Sequence, residues 1–196
     1  MVAVLTIESI RAALAGFEPR LYTDEDGQTL AAVAAVLRPG ENGPELLFIH
    51  RAEHPDDPWS GHMAFPGGRV DPGDAGPLAA ALRETREEVG LDLETVGEEI
   101  GRLSDVPAIG RGQPVGMVIT PFVFALERSP RLVPNHEVAA VVWVPLGFIA
   151  DRSNRGTMPY RRAGLSLELP CYRYQDHLIW GMTLGMVDEL LSLVSR

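Results

Sequence analysis

The chain has 196 residues, 45% hydrophobic and 22% charged, which suits a soluble globular protein long enough to bury one sizeable core. A net charge of −10 disfavours general binding to nucleic acid or to an anionic membrane, since both need a basic surface. All 17 basic residues are Arg, which excludes a lysine-bearing Walker loop and Schiff-base chemistry and leaves Arg to hold any phosphate.

The N-terminus lacks a basic segment followed by an apolar run, and no stretch approaches membrane-spanning length, so a cytoplasmic location is expected. Residues 6–16 predict an amphipathic helix, with Ile7, Ile10 and Leu14 on one face and Gly16 as its stop. A polar, turn-rich connector runs to residue 28. Ala31 to Leu37 is small and apolar throughout and reads as a strand buried on both faces. Pro39 to Pro44 reads as a turn and Glu45 to His50 as a second strand, the pair opening a mixed sheet as a hairpin. His50 to Gly61 is a long polar loop, and Met63 to Pro66 a short strand stopped by proline.

Gly67 and Gly68 come next; adjacent glycines allow a strained turn and let backbone approach a ligand closely. A helix is expected from Pro77, with cap chemistry from Asp74 and Gly76 and a left-handed stop at Gly90. Leu78, Leu82, Thr85 and Val89 share one face, and Glu84, Glu87 and Glu88 fall on the opposite side. Three carboxylates so close repel one another, and a divalent cation between them would offset more of this than Arg83 and Arg86. Oxygen-only ligands suit Mg²⁺ or Mn²⁺ rather than zinc. A solvated acidic face is the competing reading, and the glycine turn ahead of the helix weighs against it.

Further on, Ile100 to Leu103 and Gly116 to Leu126 read as strands, the second broken at Pro121 and so expected at an edge or a bulge. Val138 to Val144 is another buried strand, preceded by Asn135, His136 and Glu137, and Pro145 to Ala150 a short helix. Ser153 to Gly164 is turn-rich; Leu165 to Leu169 and Tyr172 to Tyr174 suggest a late hairpin. Cys171 is the only cysteine, so an intramolecular disulfide is impossible and it reads as inert packing. Trp180 to Val194 closes the chain as an amphipathic helix.

The stretch from Gly68 to Leu91 resembles the Nudix box, G-x5-E-x7-R-E-U-x-E-E-x-G-U. Arg83 to Leu91 matches its second half except at Thr85. In the first half Asp74 stands for Glu, and eight residues rather than seven precede Arg83. Both departures also occur in the coenzyme A pyrophosphatase-like branch of Nudix hydrolases. That branch carries an upstream motif that Leu46, Leu47, Arg51, Gly61 and Phe65 to Gly68 match in part, with Trp59 and His62 where it shows His and Gln. Trp180-Gly181-Met182-Thr183 resembles its W-G-x-T.

The resemblance implies an α/β (α+β) Nudix fold, a mixed central β-sheet sandwiched between helices, as a single domain over 1–196 with 1–28 as N-terminal helix and connector. It implies a Mg²⁺-dependent pyrophosphohydrolase, with Mn²⁺ as substitute, cleaving a nucleoside diphosphate linked to another group, coenzyme A or its derivatives favoured. Glu84, Glu87, Glu88 and the Gly67 carbonyl would hold metal. Glu84 would alternatively act as base, oriented by Arg83, with Glu87 and Glu137 as further catalytic candidates. Arg51, His62 and Arg69 are candidate substrate contacts, and Gly68, Asp74 and Gly90 support the site. A nucleotide substrate is expected, without nucleic acid or membrane, and the apolar elements leave room for a homodimer. Another nucleotide (NADH, ADP-ribose or a nucleoside triphosphate) and a non-catalytic ligand sensor are the alternatives.

Overall fold

The computed structural model describes residues 5–22, 28–55, 57, 59–110, 112–162 and 165–195. Parts of the expected connector (23–27), of the polar loop (56 and 58) and of the late turn (163–164) lie outside these. Helix α1 (Ile7–Ala15) starts at Thr6, whose hydroxyl accepts the Ser9 N–H while the Ser9 hydroxyl accepts the Thr6 N–H. Eight strands form one mixed sheet: β1 (Thr29–Gly40), β2 (Gly43–Arg51), β3 (Met63–Ala64), β4 (Gly67–Arg69), β5 (Gly97–Arg102), β6 (Val106–Gly110), β7 (Gln113–Leu126) and β8 (Val138–Pro145). The other α-helices are α2 (Pro77–Val89), α3 (Leu93–Val96), α4 (Leu146–Ala150) and α5 (Gly181–Val194), with a 3-10 turn at Arg152–Asn154.

The expected opening hairpin is present, and its turn is tighter than 39–44, because Pro39 pairs with Pro44 and Gly40 with Gly43. Beyond Leu37 and Leu46 the two strands part. Into this fork enters the glycine segment: β3 pairs with β2 at Ile49 and His50, and β4 pairs with β1 from Ala31 to Val33. Phe65 and Pro66 carry the chain across, and the Pro66 carbonyl accepts the Ala34 N–H at 2.8 Å. The fork is what fixes Gly67 and Gly68 in space.

Strand β7 runs parallel to β1 from Met117 to Ala125 and takes β6 and then β5 on its other side. Pro121 therefore sits in a central strand, not at the edge or bulge expected. Its missing N–H falls at the seam where the neighbour changes from β6 to β5, and its carbonyl accepts the Leu103 N–H.

Alternation along the strands divides the core. Ala32, Ala34, Val36, Leu47, Ile49, Phe122 and Phe124 pack with Ala81 and Val89 of α2. Ala35, Leu37, Leu46, Phe48 and Val123 pack on the other face with Ile10, Leu14, Ile149, Leu184 and Val187 from α1, α4 and α5. The sheet is thus sandwiched between helices, an α+β architecture.

The turn-rich reading of 153–164 is corrected. Arg155–Arg162 is a strand, β9, paired with a continuous β10 (Leu165–Tyr174), which pairs in turn with β11 (His177–Trp180). Gly156 and Pro159 looked like punctuation, but neighbouring strands supply the ladder that local sequence does not advertise.

Candidate active site

Gly67 has φ +148°, and a Cβ added there would lie 2.6 Å from Val33 Cα, so both the torsion and the close approach require glycine. At Gly68 an added Cβ would lie 2.5 Å from the Glu84 carboxyl carbon. The Gly67 N–H donates to Glu88 Oε2 at 2.8 Å. Two α2 carboxylates therefore rest on two consecutive glycine backbones.

Helix α2 begins and ends where its proline and glycine indicate. Pro77 occupies the first turn, and Gly90 adopts the left-handed conformation at φ +68° with its N–H on the Arg86 carbonyl. The N-cap is Gly76, at φ +140° and with no side-chain cap bond. The expected cap role of Asp74 is thus corrected: its carboxylate is bound to Arg83 instead, Nε to Oδ1 at 3.0 Å and Nη2 to Oδ2 at 2.9 Å.

Arg83 is the hub of the site. Its Nη1 also donates to Glu84 Oε1 at 3.0 Å and to Glu87 Oε2 at 3.2 Å, and its Nη2 to the Arg69 carbonyl at 3.1 Å. The bond to Asp74 chiefly raises the Arg83 pKa, and the same bond holds Asp74 below the usual carboxylate range. Arg83 is therefore a permanent cation among acids.

Glu88 does not lie on an exposed acidic face as expected. It is 3% exposed, while Glu87 remains exposed. At about 100° per residue, position 88 stands roughly 20° from position 81 on the helical wheel, and Ala81 is fully buried against the sheet. Burial pushes the Glu88 pKa up to about 8; the Gly67 N–H and Arg51 oppose this, and Glu84 and Glu137 add to it. Glu84 is also raised, first by burial, with Arg83 opposing and Glu87 and Glu137 adding.

Glu137 is exposed just ahead of β8, and its field reaches both Glu84 and Glu88. Backbone bonds lay its segment across the end of α2: Val133 N–H to the Val89 carbonyl at 2.8 Å and Asn135 N–H to the Glu88 carbonyl at 2.9 Å. Asn135 Oδ1 then accepts the Glu137 N–H at 2.8 Å. Asn135 was not singled out from sequence, because the contact joins segments with no shared local pattern.

Arg51 lies 3.8 Å from Glu88 Oε1 and donates through Nε and Nη2 to Asp57 Oδ2 at 3.0 and 2.7 Å. Burial raises the Asp57 pKa, but bonds from the Trp59 N–H and Arg51 outweigh it and the net shift is downward. Asp57 too escaped sequence reading; among several acids in one polar loop, nothing local marked it as the partner of Arg51. His62 is half-buried, its pKa lowered chiefly by that burial, and its ring lies 4.8 Å from that of Trp180. Arg69 is exposed and meets the site through its carbonyl.

The donor set is all oxygen and its chemistry fits a hard divalent cation. Among the described residues, no three His, Cys, Asp or Glu side chains are already gathered around one point. Arg83 neutralises Glu84 and Glu87 instead, and burial favours a proton on Glu88. Concavities of about 540 and 460 Å³ lie elsewhere, the first between Phe17, Ser104 and Glu189, the second along Glu53, His54, Asp57 and Ser60. The second adjoins the site through Asp57.

The sequence model of the NUDIX domain matches residues 28–160. A protein named Uncharacterized Nudix hydrolase NudL from Enterobacter sp. (strain 638) is 34% identical over 187 residues, 95% of this chain and 93% of its own length. A protein of the same name from Escherichia coli (strain SMS-3-5 / SECEC) is 36% identical over 160 residues, 80% of each chain. A MutT/nudix family protein from Enterococcus faecalis superposes with a TM-score of 0.59 at 18% identity, covering 97% of this chain and 70% of its own. The NUDIX domain of Shewanella oneidensis NrtR, solved in complex with ADP ribose, gives 0.51 at 21% identity, covering 70% and 84%. At such identities the two structures speak for the fold alone. With a domain match over most of its length and relatives aligned along nearly all of it, the chain belongs to the Nudix hydrolase family.

Proposed function

We propose that this protein is a Mg²⁺-dependent pyrophosphohydrolase that cleaves the diphosphate bond of a nucleoside diphosphate linked to another group, with coenzyme A and its derivatives favoured. The observation that carries this reading is the seating of Glu84 and Glu88 on the backbones of Gly68 and Gly67. Nudix hydrolases generally use divalent cations such as Mg²⁺. Glu84, Glu87, Glu88 and the Gly67 carbonyl are the oxygens that would hold the ion, with Mn²⁺ as substitute. When bound, the cation supplies charge neutralisation at the diphosphate and acidifies water.

Adding water across a P–O–P bridge requires one proton to leave the water and negative charge to be absorbed on the departing oxygen. Glu84 is a candidate for that proton in its alternative role to metal ligand: burial makes it more basic, and Arg83 fixes its orientation while Asp74 holds Arg83. Glu137 is the other candidate base, since its charge is felt by the same carboxylates. Arg51 and Arg69 hold phosphate oxygens, and His62 meets the substrate beside Arg51. We read 1–196 as one domain, because α1 and α5 bury Ile10, Leu14, Leu184 and Val187 in the cluster beneath the sheet.

Support for coenzyme A is the upstream motif from Leu46 to Gly68 together with Trp180 to Thr183. Trp59 and His62 depart from it, which favours a different nucleotide as the second reading. Incubation with coenzyme A and Mg²⁺, followed by product separation, tests the first: 3′,5′-ADP and 4′-phosphopantetheine are expected. Cleavage of NADH or ADP-ribose but not coenzyme A would replace the substrate and keep the chemistry. Binding without any cleavage would point to a sensor.

A further inference from the structure

Trp180 ends β11 in an extended conformation and passes the chain to α5 at Gly181. Its ring centroid lies 4.8 Å from that of His62 and 5.6 Å from that of Tyr160, and all three side chains are partly exposed. The rings come from three separate segments: the loop before β3, the strand β9 and the end of β11. Gly181, next in sequence, is exposed.

This cluster is joined to the carboxylates. The β2–β3 ladder continues one step beyond β3, where the Arg51 N–H donates to the His62 carbonyl at 3.0 Å. Ala64 packs on the α2 side of the sheet, and His62, two residues earlier, leans toward that same side. Arg51, beside Glu88, and the rings of Trp180 and Tyr160 are thus linked through His62, whose carbonyl accepts the Arg51 N–H and whose ring meets that of Trp180.

The geometry points to a stacking platform: Trp180, flanked by His62 and Tyr160, receives the planar nucleobase of a substrate whose diphosphate lies at Arg51 and the α2 carboxylates. The inference rests on the proposed hydrolase reading and adds the end of the substrate that the box does not address. Base–aromatic stacking tolerates any base, because every base has a π face, so the platform selects a ring-bearing ligand without reading its identity.

The test uses ADP and inorganic pyrophosphate as probes, each with Mg²⁺, followed through the indole N–H signals of the three tryptophans. The Trp180 signal, assigned from Trp180→Phe, moves with ADP and stays with pyrophosphate. Trp180→Leu weakens ADP by roughly 5- to 150-fold, the usual range for losing one stacked base. Pyrophosphate affinity is unchanged in that variant, and Trp180→Phe recovers most of the ADP affinity. An unmoved Trp180 signal in the unsubstituted protein, or equal ADP affinity with Trp180→Leu, overturns the platform. Neither result touches the hydrolase reading, which product release tests separately.

Discussion

The Glu88 carboxyl holds its proton to about pH 8 in the folded chain against an ordinary value of 4.5, so the folded state binds the extra proton throughout that window. Stability of the metal-free protein is therefore greatest below pH 4.5 as far as this group is concerned. It falls as pH rises toward 8, by at most about 1.4 kcal/mol per pH unit. Urea unfolding at pH 6 and pH 8 should show the decline, and Glu88→Gln should flatten it. A cation bound at Glu88 must displace that proton, so Mg²⁺ affinity rises over the same range. Calorimetry at pH 7 in two buffers of different ionisation enthalpy should register proton release on binding. Arg83 sets the opposite constraint. Arg83→Ala leaves Asp74, whose side chain is 7% exposed, without its cation. A lower urea midpoint is expected for the variant, because the substitution also leaves Glu84 and Glu87 without their shared cation.

Helix α2 and the fork beneath it show which elements local chemistry can specify. Pro77 and Gly90 mark the helix ends because proline fixes its own φ and glycine freely admits the left-handed one, and both are read correctly from sequence. The burial of Glu88 is not legible in that way, since its position lies near the boundary of the wheel and only the sheet decides which side is covered. Strand β9 was hidden for a related reason: Gly156 and Pro159 are weak strand formers, and β10 provides what they lack. The bond of Arg51 to Asp57 and the approach of Asn135 to Glu88 depend on chain segments meeting in space. Backbone torsion makes a sharper prediction at Gly76. An Asp at an N-cap usually stabilises a helix by about 1 kcal/mol. Here φ is +140°, so Gly76→Asp should leave the melting temperature unchanged or lower it. Gly67→Ala, forced against Val33, should destabilise by roughly 2–3 kcal/mol and remove activity with it.

At the scale of the molecule, the fold delivers three separate segments to one face: the glycine fork, the acidic helix and the approach to β8. The mixed sheet between helices was implied by the resemblance to the Nudix box, and its longer strands were legible as apolar runs, whereas the short β4 and β6 carry no such run. The three-stranded sheet beside it was not legible, and with it went the aromatic surface around Trp180. No described helix is long and apolar enough to cross a membrane. The charge of −10 predicts that duplex DNA competes poorly with nucleotide at physiological salt, which a filter-binding titration would check. What binds this scale to the first is whether the buried α2 carboxylates perform diphosphate hydrolysis. Product release from a panel of nucleoside diphosphate derivatives, coenzyme A included, should be followed with Mg²⁺ and with chelator, for the unsubstituted protein and for Glu88→Gln. Cleavage that needs Mg²⁺ and is largely lost in a folded Glu88→Gln variant is expected. Undiminished cleavage by Glu88→Gln would contradict it.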